Sequence, residues 1–224
     1  MQRAVVGLAS IVVAAAAVWM LLRIPEPPPE DAVRQTFAAY KRAVMANDGA
    51  TAAALLSAGT VEWYGSTQDL ALHGDKQDVE HLPPLEKLQV LAFRLRIPAE
   101  ELRALSARQL VAYSVAHGWV GKSGTGRSEL GAVTVADGSA VAELLLAGKN
   151  TGQKYRFVQE GGQWRFDQLP TLQSGGEAIA TAARQRGMSE DQLVQMLVET
   201  AAGKKLGGDA WEPPFPRATP APAS

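Results

Sequence analysis

Between Leu130 and Leu169, apolar and polar residues alternate with a period of two, and glycine turns interrupt the runs. Four strands are predicted: Leu130–Ala136, Ser139–Ala147, Lys154–Gln159 and Gln163–Leu169. Asp137-Gly138 suits a type I′ hairpin turn, in which both central residues need positive φ. Glu160-Gly161-Gly162 is a second tight reversal, and Gly148-Lys149-Asn150-Thr151-Gly152 a looser one. Tyr155 and Phe157 share one face of the third run, as Trp164 and Phe166 do in the fourth. Arg156, Arg165 and Asp167 point the other way, which predicts a surface position for Asp167. The pattern is that of an antiparallel meander with helices as its cover.

The flanking segments carry the helical period instead. Val33, Phe37, Tyr40 and Val44 place one apolar face on a helix from about Glu30 to Asn47. Asp48 is placed to cap a short second helix, Ala50–Ser57. Pro83-Pro84 opens a helix through Arg96, with Leu85, Leu88, Ala92 and Leu95 on the expected core face. Pro98 starts another, with Glu100 and Glu101 in its first turn, and Ser106 with Gln109 forms a capping box for a third that ends at His117-Gly118. After the meander, Gly176–Arg186 and Ser189 to about Ala202 are two further helices. Ser189 and Gln192 make a second capping box there, and Leu193, Met196 and Leu197 form a stripe. The tail beyond Leu206 is expected to be unfolded, with Trp211 and Phe215 as docking points.

At the amino terminus, Ala4 to Leu22 carries no charge and is bracketed by Arg3 and Arg23. As a helix it would span roughly 28 Å, close to the ~30 Å hydrocarbon core of a bilayer. The rival reading is a signal peptide cut within Ala14–Ala17, which leaves an apolar new terminus at Val18-Trp19-Met20-Leu21-Leu22. The expectation is an uncleaved single-pass anchor in the plasma (inner) membrane, with the carboxy-terminal domain extracytoplasmic. Pro25-Glu26-Pro27-Pro28-Pro29 then forms a stiff spacer.

Composition narrows the chemistry. Hydrophobic residues make up 46% of the 224-residue chain and charged residues 20%, a globular balance. The net charge of −1 provides no field to draw the chain to nucleic acid. The absence of cysteine removes disulfides, thiolate metal sites and cysteine nucleophiles. Thr60–Leu82 holds five carboxylates against Lys76, with His73, Asp75, Asp78, Glu80 and His81 as a tempting ligand set. Their spacing matches no metal motif, so a solvated acidic loop or short helix is expected, with no metal and no cofactor. Residues 85–127 carry seven basic and three acidic side chains, a solvated set of helix faces. Ala116–Ser123 reads A-H-G-W-V-G-K-S, formally a relaxed phosphate loop. A helix precedes it where a strand is required, and Gly124-Thr125-Gly126 is expected to lead into strands.

The stretch from about Glu30 to Leu169 resembles the nuclear transport factor two-like superfamily, a cystatin-like α+β cone. The resemblance rests on F-A-A-Y-K-R-A in the first helix, D-G-A-T-A-A-A-L-L in the second, and the closing V-A-D-G-S-A-V-A-E and Y-R-F-V-Q-E-G-G-Q-W-R-F-D. It implies a curved sheet wrapped around helices, often with a cavity at the open end and often a homodimer. The helical stretch from Pro83 to Gly118 is longer than a minimal member carries. The superfamily includes isomerases, dehydratases, cyclase-like enzymes and non-catalytic binding domains, so fold alone selects no chemistry.

An isomerase-like site needs a carboxylate base and a buried hydroxyl donor. Tyr40, Tyr64 and Tyr113 are the candidate donors and Asp69 or Asp167 the candidate base, but no spacing groups them. Trp63 and Trp119 either line a ligand cavity or serve helix–sheet packing. His117, at a helix carboxy end, interacts favourably with the dipole without a catalytic duty.

The expected fold is α+β: an amino-terminal transmembrane helix, helices on a curved four-stranded antiparallel sheet, and two carboxy-terminal helices. By residue, this is an anchor over 1–23, a Pro-rich linker over 24–29 and the cone-like domain over 30–170, with a helical insertion at about 66–118. A helical extension over 171–206 and a disordered Pro-rich tail over 207–224 follow. The expected role is a non-catalytic interaction or scaffold module; the alternative is a small-molecule binder, or an isomerase- or cyclase-like enzyme using the cone cavity. Expected partners are the bilayer through Ala4–Leu22 and a second copy or another membrane protein, with no nucleic acid.

Overall fold

The computed structural model describes residues 27–120 and 122–217. Among the described residues eight helices precede the sheet: α1 (Pro29–Ala46), α2 (Gly49–Ala54), α3 (Ala58–His73), α4 (Lys76–Glu80), α5 (Pro84–Arg96), α6 (Ala99–Ala104), α7 (Ala107–Ala116) and α8 (Lys122–Arg127). The strands follow as β1 (Ser128–Ala136), β2 (Ser139–Leu146), β3 (Lys149–Glu160) and β4 (Gln163–Asp167). Two helices, α9 (Leu169–Gln185) and α10 (Glu190–Ala202), and a 3-10 turn at Gly208–Trp211 complete the described chain. The architecture is α+β, with an antiparallel sheet in the order β1-β2-β3-β4.

The expected fold class is corrected on the membrane helix. Among the described residues no helix is long and apolar enough to cross a membrane. The segment Ala4–Leu22, on which that reading rested, lies outside the described residues.

Local chemistry explains the element ends. Pro29 opens α1 with Glu30 and Asp31 in its first turn, and Asn47 closes it in the left-handed region at φ 57°. The Asp48 side chain accepts from Thr51 N at 3.0 Å to cap α2. Both reciprocal hydrogen bonds of the capping boxes form at Ser106–Gln109 and Ser189–Gln192. Asp137 and Gly138 sit at φ 47° and 72° between the paired residues Ala136 and Ser139, as a type I′ turn requires. Gly161 and Gly162, both at positive φ, reverse the chain between Glu160 and Gln163. The middle reversal differs from the expectation. It is a two-residue turn at Ala147-Gly148, and β3 starts at Lys149, five residues earlier than read. The polar run Lys149–Lys154 has no alternation to reveal it and gains its strand from β2, across a register irregularity at Glu143–Leu145.

Val33, Phe37, Tyr40 and Val44 of α1 are buried against the sheet. There they meet the inward residues Ala140, Ala142, Tyr155, Phe157, Trp164 and Phe166. The other cover is helical. Thr60–Leu82, expected as a solvated acidic loop or short helix, holds most of the sixteen-residue α3 and the short α4, and the buried face of α3 is Thr60, Tyr64, Thr67, Gln68, Ala71 and Leu72. Three of those six are polar, so the face carries almost no hydrophobic signal. α5 packs against α3, α9 and α10 and buries Lys87, Val90, Leu91, Ala92 and Phe93. Of the expected face, Ala92 is buried and Leu88 and Leu95 pack half-buried against the core, and burial extends past this face because the helix is covered on several sides at once. The α10 stripe also shifts: Leu193, Val194 and Val198 are buried, while Met196 is exposed. Residues 207–217, expected to be unfolded, lie against the helices. Phe215 N donates to Leu72 O at 3.0 Å, Arg94 donates to Ala210 O at 3.2 Å, and Arg103 lies over the Phe215 ring at 4.6 Å.

Candidate functional site

The five aromatic candidates fall in two separate places. Tyr40 and Tyr64 are in the interior. The Tyr40 hydroxyl accepts from Gln168 Nε2 at 2.7 Å, and its ring packs edge-on to Phe166 at 5.1 Å. Burial pushes its phenol well above the ordinary range, with Tyr64 and Tyr155 beside it adding to the rise. Burial likewise pushes Tyr64 up to about 12. Both are therefore neutral phenols at any physiological pH. Around them Phe37, Tyr155, Phe157 and Phe166 interlock, with ring centroids 4.9–6.4 Å apart. These rings fill the centre of the α1–sheet interface, and a 220 Å³ hollow lined by Phe37, Lys41, Ser128 and Leu130 remains at its β1 edge.

Tyr113 and Trp119 lie elsewhere, at the carboxy end of α7. Tyr113 stacks on His117 at 3.9 Å, and Trp119 meets both rings at 5.5 Å. The Arg96 guanidinium sits 5.0 Å from the Trp119 ring centre and also donates to Ala201 O. This cluster ties α5, α7 and α10 together. His117 Nδ1 is 2.9 Å from Tyr113 O, a helix-end contact.

The two candidate bases have structural partners. Asp69 is exposed, with His73 Nδ1 at 2.9 Å and Arg217 also paired to it. Asp167, expected at the surface, is only 3% exposed. The start of α3 and the start of α9 close over the end of β4 and enclose it. Asp167 Oδ1 accepts from Thr60 Oγ1 at 3.3 Å and Leu169 N at 3.1 Å, with Ser57 Oγ at 3.4 Å, while Oδ2 is paired with Arg156. The carboxylate therefore ties the start of α3 to the β4–α9 junction and to Arg156 of β3. No tyrosine hydroxyl shares it, so the candidate donors and bases are not brought together.

The acidic ligand set is likewise accounted for locally. Asp75 and Asp78 form a capping box, Glu80 is 3.6 Å from Lys76, and His81 Nδ1 is 2.7 Å from Gln77 O. Among the described residues, no group of three or more metal-ligating side chains converges. At the false phosphate loop, α7 precedes Gly118 and the short α8 follows, so Gly124-Thr125-Gly126 is helical rather than leading directly into a strand. The strand that a phosphate loop needs before it is absent there.

Trp63, whose ring meets Tyr64 edge-on at 5.2 Å, lines a cleft of 410 Å³ between α3, the start of α5, α9 and the start of α10. Leu85, Leu169 and Leu172 form its apolar wall, and Glu86, Glu177 and Glu190 carry its charge. Trp63 Nε1 donates to Glu86 Oε1 at 3.4 Å. The sequence reading missed this cleft because it began α9 seven residues late, at Gly176. Leu169, Leu172, Gly176 and Ala180 follow helical spacing, a signal that was available.

Comparison of the chain with protein-family models, with curated proteins and with solved structures gives no match. The functional reading therefore rests on the geometry alone.

Proposed function

We propose that this chain is a non-catalytic protein-interaction module of the nuclear transport factor two-like type. The observation that carries the reading is the filled interior. Phe37, Tyr40, Tyr155, Phe157 and Phe166 occupy the space that a cone-cavity enzyme or binder keeps open. The candidate carboxylates are engaged in fastening elements, and the buried phenols have no base beside them. The element order, with helices first and a four-stranded meander after them, supports the superfamily resemblance as part of the same proposal.

The sheet face turned away from α1 offers a docking surface. Val141 is 37% exposed there, with Thr134 and Arg156 as its cross-strand neighbours. α9 and α10 are poor targets for deletion, since Ala183, Leu193, Val194 and Val198 are buried. The test therefore uses point variants of the full-length chain. Protein crosslinked in its native host is isolated, and the captured partner is purified and recombined with wild-type chain and with Val141→Glu. One-to-one rebinding that Val141→Glu abolishes, with the fold intact by circular dichroism, supports the reading. Stoichiometric uptake of a small ligand between α1 and the sheet, seen as shifts of the Phe37 and Phe157 ring resonances, overturns it.

A further inference from the structure

The cleft beside Trp63 is a separate feature, on the helical side of the molecule. Its volume of 410 Å³ lies in the range of small-molecule sites, roughly 300–1,000 Å³. Its wall is aliphatic and aromatic, and every charged residue that lines it is a glutamate. Two of the three glutamates have a local explanation: Glu86 and Glu190 sit in the first turns of α5 and α10, where a carboxylate complements the helix dipole. Glu177 has no such explanation, because it lies midway along α9. Among the described residues, none of the three forms an ion pair. The nearby Lys87 is buried and already paired with Asp191 across the α5–α10 contact.

From this geometry we infer that the cleft binds a small organic cation, a protonated amine on an apolar frame. The apolar frame lies against Leu85, Leu169 and Leu172 and is excluded from water there. The ammonium group meets Glu177 and Glu190, and the indole face of Trp63 adds a cation–π surface. The Trp63–Glu86 hydrogen bond holds the indole in orientation before any ligand arrives. Charge selects the ligand: an anion of the same shape meets three carboxylates and no donor of opposite sign.

The test compares three probes of one shape on the full-length chain, by calorimetric titration and saturation-transfer NMR. They are phenethylammonium, phenethyl alcohol and 3-phenylpropionate. The expected order is ammonium at least tenfold tighter than alcohol, with no binding of the carboxylate. Rising salt should weaken only the ammonium. The double variant Glu177→Gln/Glu190→Gln keeps side-chain shape and should lose at least tenfold in ammonium affinity with alcohol affinity unchanged. Ala180→Phe fills the cleft and should abolish both, with unaltered circular dichroism confirming the fold. Equal affinity for ammonium and alcohol, wild-type ammonium affinity in the double variant, or no binding of phenethylammonium to the native chain overturns the inference. Each of these outcomes leaves the protein-interaction reading untouched, because that reading rests on the interior and the sheet face.

Discussion

Replacing Asp167 with alanine removes the acceptor shared by the starts of α3 and α9. The Leu169 amide and the Thr60 hydroxyl both lose their buried partner, and each stranded donor costs about 1–3 kcal/mol. Thr60 Oγ1 accepts from Ser57 Oγ at 2.9 Å and Gln168 N at 2.9 Å, and its freed proton can turn to Ser57 Oγ, which places its share at the low end. The ion pair adds little, since the Arg156 side chain is 45% exposed and water replaces its partner at a cost of about 0–1 kcal/mol. The sum for Asp167→Ala is about 3 kcal/mol. Asp167→Asn, which keeps one acceptor oxygen, costs less than Asp167→Ala. Urea unfolding followed by circular dichroism reads these values directly. With a slope of about 2–3 kcal/mol/M, the alanine variant should unfold about 1 M earlier at an unchanged slope. A midpoint within about 0.2 M of wild type would refute the argument that this carboxylate fastens the fold.

Other substitutions probe the packing. A Cβ on Gly49 would lie 1.9 Å from the Ala112 carbonyl oxygen, where α2 and α7 approach backbone to backbone. Gly49→Ala should therefore cost more than about 2 kcal/mol in the same urea assay, reversing the usual gain of roughly 0.5–1 kcal/mol for this change within a helix; a stabilised variant would contradict the close approach. Phe157 is fully buried and stacks on Phe166 at 5.2 Å, so Phe157→Ala should cost about 3–5 kcal/mol. A loss below about 1 kcal/mol would mean that the interior is not filled as described. The Glu199 carboxyl is lowered from 4.5 to about 2 by hydrogen bonds from Lys205, Gln195 and the Leu206 amide. A folded-state value below the unfolded one adds stability that is complete above the unfolded value and is lost as pH falls toward about 2. Exchange protection of the Leu206 amide should fall over that window and be low at all pH values in Glu199→Gln; protection that is independent of pH would argue against the bond.

Local signals were legible wherever a short segment sets its own geometry. Asp137-Gly138 makes its turn because positive φ at two successive residues is a demand on those residues alone. Asp48, Ser106 and Ser189 cap their helices by reaching amides three residues ahead. The aromatic period of β3 and β4 and the Val33–Val44 stripe of α1 disclosed which faces are buried. What remained hidden depends on partners far along the chain. α3 presents Thr60, Thr67 and Gln68 inward, and no periodicity scale rewards that. The burial is favourable because Asp167 accepts from Thr60, and the Leu102 and Leu105 carbonyls accept from Gln68, both at 2.7 Å. Lys87 reads as a solvated cation until Asp191 of α10 arrives to pair with it. Asp167 alternates outward on its strand, but which outward positions stay wet is decided by the helices that cover the strand end. The cleft beside Trp63 exists only where four elements meet. Turn and cap energies are set within a few residues, whereas burial of a polar group depends on which distant donors and acceptors the tertiary fold delivers to it.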